Sequence, residues 1–303
     1  MYQIRTDLAL ETQEKMQEDK VELKGVRYFE EEIDKNLVIS TVIIETENGA
    51  KTMGKPKGTY ITIEAGNMDE EDEDYHREIS GQLARIIGKL IPVKKEELSV
   101  LIVGLGNRAV TPDSLGPRVV DNLYITRHIL NEYGRFAFGK AGMNRISSIV
   151  PGVMAQTGME SGEIVKGIVQ ECKPDILIAI DALAARSMER VTTTVQITDT
   201  GICPGAGIGN NRQALNEETL GIPVIALGVP TVVDAATIVR EQMEKYLHQK
   251  GYTESEQQQF LEDISNVELD NLFVTPKGID EAMHRMSETV AEAVNACFCK
   301  SLI

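Results

Sequence analysis

Two aspartates stand just past apolar runs, where a carboxylate is well placed for acid–base chemistry. Asp113 follows SVLIVGLGNRAVTP, residues 99–112, and is followed by Ser114, Leu115, Gly116 and Pro117. Asp181 follows DILIAI, residues 175–180. If the two converge with one ionised and one protonated, they can share a proton, activate a water and protonate a leaving amine, as in an aspartic-protease dyad. Each also has a plainer reading. Asp113 could cap a helix that has Pro117 in its first turn, and Asp181 could cap a helix that follows it. The sequence does not give their separation.

The elements that would carry them are legible. Four to six consecutive apolar residues closed by a turn suit a strand buried on both faces, as in a parallel sheet flanked by helices. Ligands of such sheets bind beyond the carboxyl ends of the strands. Residues 1–20 are polar, with nothing that must be core. Residues 37–45 and 59–64 read as strands joined by a glycine- and lysine-rich turn. Ile79, Leu83, Ile86, Ile87 and Leu90 share one face of a helix that enters through the acidic run 69–74 and stops at Pro92. Further strands are expected at 146–150, 190–199 and 222–230. Helices are expected at 119–130, 161–171, 234–249 and 279–298, and a long glycine-rich loop at 201–212. The expected fold is α/β: a three-layer sandwich whose mostly parallel central sheet is flanked by helices, with a small N-terminal β element.

Composition narrows the function. The 303-residue chain carries a net charge of −16 and a pI near 4.8, which repels phosphate backbones and argues against direct nucleic-acid binding. No run of about 18 apolar residues and no signal-peptide core is present, so a membrane partner is not expected and the setting is taken as intracellular. Cys172, Cys203, Cys297 and Cys299 lack zinc-knuckle spacing and read as reduced and structural. The four histidines are scattered without metal-ligand spacing. Gly104 to Ala109 fits the dinucleotide fingerprint formally, but Pro112 and Pro117 prevent a helix from starting at once, and no acid ends the next strand. Arg186 and Arg190 lie four apart and would share a helix face. They read either as a solvated salt-bridge stripe or as a cationic subsite for an acidic substrate side chain.

The motifs RTDLA, GLGN, VTPDSLGP, DNLYITRH, SIVPGVMAQTG, IAIDALAARSMERV, PGAGIGN, TLGIPVIALGVPTVVDA and VTPK, in this order along most of the chain, closely resemble the germination proteases of spore-forming bacteria. That resemblance implies an atypical aspartic endopeptidase whose two essential acids fall on Asp113 and Asp181. It also implies a zymogen that cuts itself between Asp7 and Leu8, so that residues 1–7 are a propeptide and 8–303 a single peptidase domain. Substrates would be small acid-soluble spore proteins, cut after an acid and before an apolar residue during germination. The setting would be the cytoplasm of the forespore or spore core, and the assembly a homotetramer. No cofactor or metal is implied; separately, a cut after an acid would give Arg186 and Arg190 a task, since a desolvated carboxylate needs a cation or several donors.

The pattern of strand-end acids is also similar to the hydrogenase maturation endopeptidases, whose acids engage nickel together with a histidine. No histidine here stands as its counterpart, and a metal-dependent maturation-type peptidase is the alternative, with a nucleotide-binding protein behind it. A propeptide of about seven residues is too short to fold alone. It is expected to occupy the cleft or to misplace a loop at 151–158 or 201–212.

Overall fold

The computed structural model describes residues 6–66, 72–134, 137, 143–205, 213–253, 256–257, 259–260 and 272–299. In chain order the elements are α1 (Ala9–Glu18), β1 (Val26–Asp34), β2 (Leu37–Ile44), α2 (Glu47–Met53), β3 (Gly58–Ala65), α3 (Glu73–Leu90) and β4 (Ser99–Gly104). A 3-10 turn (Thr111–Asp113) precedes α4 (Leu115–Asp121), α5 (Arg127–Tyr133), β5 (Arg145–Ile149), α6 (Met154–Thr157), α7 (Ser161–Cys172) and β6 (Ile176–Ala185). After a second 3-10 turn (Met188–Arg190) come β7 (Thr194–Thr198), α8 (Glu217–Leu220), β8 (Val224–Asp234), α9 (Ala235–Gln249), β9 (Phe273–Val274) and a final helix, here α10 (Ile279–Phe298).

Among the described residues, nine strands form one mixed sheet in the order β1-β2-β3-β7-β8-β6-β4-β5, with β9 pairing on β8. The run β8-β6-β4-β5 is parallel. β7, β3, β2 and β1 continue it antiparallel, so the expected N-terminal β element is part of the main sheet. Alternation along each strand divides the side chains between two faces. Ile176, Ile178 and Ile180 of β6 and Val100 and Ile102 of β4 face α3, α4 and α10. Leu177, Ala179, Leu101 and Val103 face α7 through Val165 and Val169. This is the expected three-layer α/β architecture.

The helices that clamp the sheet start from identifiable caps. The Asp72 carboxylate accepts from the Asp74 and Tyr75 N–H groups and opens α3, while residues 69–71 of the acidic run lie outside the described residues. Glu160 and Glu163 close a reciprocal capping box on α7. α3 is fixed against α10 by Ser80, whose hydroxyl lies 2.9 Å from the Thr289 carbonyl. The four cysteines are thiols rather than disulfides, and burial, with Cys297 nearby, pushes Cys299 up to about 11.

Several expectations change. Residues 26–34 form an edge strand that the charges in VRYFEEEID concealed; such charges keep an exposed edge from pairing with other chains. The turn expected between β2 and β3 holds α2, capped by Thr46 and ended by Gly54 at φ 62°. The single helix expected over 119–130 breaks into α4 and α5. The N-terminus contradicts its polar reading most clearly, because Leu8, Ala9 and Leu10 are buried.

Candidate active site

β4 pairs with β5 on one side and β6 on the other, and the chain visits β5 before crossing back to β6. The carboxyl ends of β4 and β6 therefore flank a topological switch point, where open α/β sheets bind ligands. Both candidate acids arrive there.

Backbone contact brings Asp113 in. The Leu105 N–H donates to the Ile180 carbonyl at 2.8 Å, which carries the β4–β6 ladder one step past β4. The chain then turns through Gly106 at φ +112°, where a Cβ would lie 2.0 Å from the Asp113 carbonyl oxygen and 3.1 Å from its Oδ1. The Asn107 N–H donates to that carbonyl at 2.8 Å. Next, α4 lies directly on the sheet: a Cβ on Gly116 would sit 2.4 Å from the Leu105 oxygen and 2.5 Å from the Ile180 oxygen. Gly116 thus touches the residue before Asp181, and Asp113 stands three residues before Gly116. The turn is also tied to the start of α10 by the Thr111 hydroxyl, which donates to Asp280 at 2.8 Å.

Neither acid takes its plain reading. Asp113 closes the 3-10 turn, and Ser114 holds the N-cap position of α4. The Ser114 hydroxyl donates to the Thr111 carbonyl at 2.8 Å and accepts from Arg118 at 2.9 Å. Asp181 does not end its strand, because β6 runs on to Ala185. It is 7% exposed, and its Oδ1 accepts from the Ala182 N–H at 2.9 Å. Alternation puts Asp181 on the same face as Leu183 and Ala185.

That face receives the N-terminus. The Leu8 side chain is fully buried in a pocket of Leu183, Ala185, Val191 and Val233. Asp7 bonds to Ala184 twice: its N–H donates to the Ala184 carbonyl, and its Oδ2 accepts from the Ala184 N–H, both at 2.9 Å. The Asp7 carbonyl accepts from Lys55 Nζ at 2.9 Å and from Gln196 Nε2 at 3.1 Å. Gln196 Oε1 in turn accepts from the Ala9 N–H at 2.7 Å. The Asp7–Leu8 pair, expected from the sequence to be the processing site, is therefore gripped on both sides. Sequence reasoning missed Lys55, Gln196 and the Ala184 N–H. Lys55 lay in what read as a turn, and a lone glutamine among β-branched residues gave no signal.

Arg186 and Arg190 occupy a different setting from the one expected. They lie at the end of β6 and in a 3-10 turn, so no helix face joins them, and both are already engaged by carboxylates of this chain. Arg186 pairs with Glu241 and reaches Glu18 at 3.3 Å. Arg190 takes Glu14 through two nitrogens, each at 2.7 Å, and Glu64 through Nε at 2.8 Å. Burial opposes the Arg190 charge, but Glu14 and Glu64 overcome it and hold the guanidinium pKa above its usual value. The expected cationic subsite is thus an anchor for α1. Glu11 completes the anchor: its carboxylate accepts from the Arg186 and Ser187 N–H groups at 2.6 and 3.0 Å. Burial raises the Glu11 pKa against these bonds and against the Thr6 hydroxyl. Arg190→Ala leaves these acids facing one another and should lower stability by about 3 kcal/mol; the partial exposure of Glu14 and Glu64 keeps the loss at the low end for a broken buried pair. Denaturant unfolding measures it, and Arg190→Lys should fall between, because lysine lacks the bidentate fork.

Among the described residues, no group of three or more histidine, cysteine, aspartate or glutamate side chains is arranged to hold a metal. No helix starts directly from the Gly104–Gly106 turn, since the 3-10 turn intervenes before α4.

A doubly wound sheet with two carboxylates near its switch point and a peptide segment docked on one face has the build of an α/β enzyme. The germination protease family matches residues 4–259. A germination protease of Caldanaerobacter subterraneus subsp. tengcongensis is 44% identical over 96% of this chain and 93% of its own length. One from Clostridium perfringens is 39% identical over 100% and 97%. The [NiFe] hydrogenase maturation protease HycI of Thermococcus kodakarensis overlaps 69% of this chain and 99% of its own at 16% identity, with a TM-score of 0.34. The chain belongs to the germination protease family and is a peptidase.

Proposed function

We propose that this endopeptidase is made as a zymogen that cuts its own Asp7–Leu8 bond, releasing residues 1–7, and then cuts small acid-soluble spore proteins in the germinating spore core. Asp113 and Asp181 activate one water between them. One carboxylate takes the proton as the water attacks the carbonyl carbon, and the other, protonated, gives its proton to the leaving amine. The observation that carries this reading is the delivery of both acids to the shared end of β4 and β6, with Asp7 and Leu8 docked on the face that bears Asp181. An acid before the cut and an apolar residue after it match what holds this segment: the Ala184 N–H on the Asp7 carboxylate and an apolar pocket around Leu8.

The segment also supplies a cause of latency, because a peptide seated beside the acids blocks entry of another. The active form is taken to be a homotetramer, as the family resemblance implies. Incubating the purified chain should yield a product whose N-terminal residue is Leu8, identified by mass and N-terminal sequencing. A chain begun at Leu8 should cleave spore-protein substrate without a lag. A truncated protein that is folded and inactive would place latency elsewhere.

A further inference from the structure

Two side chains bonded to the Asp7 carbonyl have no part in the water-activating step. Lys55 follows Gly54, whose left-handed conformation ends α2 and turns the chain toward the sheet. As a residue Lys55 is half-buried, yet its ammonium is enclosed, and desolvation holds its pKa below the usual lysine value against the pull of Asp7 and Glu11. Gln196 is buried on β7, and its place in the sheet is informative. Gly228 of β8 is the register partner of both Gln196 and Asp181. The three residues therefore form one row across three strands, with Gln196 and Asp181 on the same face and their Cα atoms about 10 Å apart. The residue between them has no side chain, and Leu183 packs over it; a Cβ on Gly228 would lie 2.4 Å from the Leu183 Cγ. A glutamine thus stands at one end of this row and an aspartate at the other, on the face where Asp7 and Leu8 dock.

We propose that Lys55 and Gln196 are the carbonyl-binding pair for hydrolysis of the Asp7–Leu8 bond, donating to the Asp7 oxygen as it becomes negatively charged. This rests on the self-processing reading above and deepens it. As the water oxygen bonds to the Asp7 carbonyl carbon, the carbonyl π electrons move onto the oxygen held by Lys55 and Gln196. Collapse restores the carbonyl, the bond to the Leu8 nitrogen breaks, and that nitrogen takes the proton. The products are an Asp7 carboxylate and a Leu8 amine. Donors fixed before the reaction, in a site shielded from water, favour this charge without reorganising, and removing one such donor typically slows a reaction by about 10²- to 10³-fold. Gln196 also acts on the far side of the bond. Its Oε1 holds the Ala9 N–H, so one amide fixes the chain on both sides of Leu8.

The test follows self-processing of the full chain by single-turnover kinetics in Lys55→Met and Gln196→Glu. Lys55→Met keeps the stem and removes the donor. Gln196→Glu keeps the acceptor for the Ala9 N–H and puts an acceptor where the donor to Asp7 was, so an anchoring role alone would survive it. Both should process roughly 10²-fold more slowly than the parent while unfolding at a denaturant midpoint close to the parent's. Processing at the parental rate in both variants overturns the carbonyl-binding role and leaves the self-processing reading standing. If the parent chain never releases residues 1–7, the reading itself fails and the carbonyl-binding pair falls with it. Should Lys55→Met fold poorly, Gln196→Glu decides alone, and Lys55→Arg, which restores a cation, should recover part of the rate.

Discussion

Asp113→Asn and Asp181→Asn should each slow both self-processing and substrate cleavage by about 10²- to 10⁴-fold, the scale expected when a general acid or base is removed, with little change in folding. Asparagine keeps the shape of the side chain and loses the ability to take or give the proton. Asp181 should keep its local geometry, because an amide oxygen can still accept from the Ala182 N–H. The Asp113 turn is closed by backbone bonds from Asn107 to Asp113 and from Asp113 to Val110, and these survive the substitution. Measured as single-turnover rates beside thermal melts, a variant that cuts at the parental rate removes its residue from the mechanism.

The second large effect is expected at Gly116, far smaller than any catalytic group. A Cβ there would lie 2.4–2.5 Å from the Leu105 oxygen, the Ile180 oxygen and the Leu105 nitrogen, all of them backbone atoms that cannot rotate away. Gly116→Ala must push α4 off the ends of β4 and β6. Gly104, opposite it, leaves no slack, since its own Cβ position is 2.3 Å from the Gly116 oxygen. Overpacking of this kind costs about 1–3 kcal/mol. The displacement also carries Asp113 away from Asp181, and a misplacement of about 1 Å at a catalytic group can cost about 10²-fold in rate. The variant should therefore be folded, less stable and slow. If kcat is unchanged, the close approach of α4 to the sheet does not position Asp113. Gly228→Ala differs in kind, since there the added methyl meets the Leu183 side chain rather than backbone.

The apolar runs of β4, β6 and β8 and the periodic face of α3 were legible because burial on two faces, or on one stripe, is written in composition and spacing. Asp113 and Asp181 stand out in the sequence as carboxylates next to such runs. What stayed hidden depended on contacts between distant segments. Leu8, Ala9 and Leu10 sit in a polar N-terminus whose glutamates looked solvated, yet Glu11 and Glu14 turn inward to meet Arg190 and the end of β6. For the same reason Arg186 and Arg190 looked available from sequence and are engaged in the fold. Lys55 could not be singled out, because its meaning comes from Asp7, 48 residues earlier, whose carbonyl it meets. Asp181 was placed at a strand end because apolar character dips there, although the β6 ladder to β8 continues through Ala185.

The most direct test of the two-acid mechanism is a crystal structure of the full-length Asp113→Asn chain with the Asp7–Leu8 bond intact. The mechanism predicts one ordered water within about 2.6–3.2 Å of both the residue-113 side chain and the Asp181 carboxylate, facing the Asp7 carbonyl carbon while Lys55 and Gln196 hold its oxygen. Side chains 113 and 181 opening onto separate surfaces, or a Leu8 bond too distant for any water they share, would contradict it.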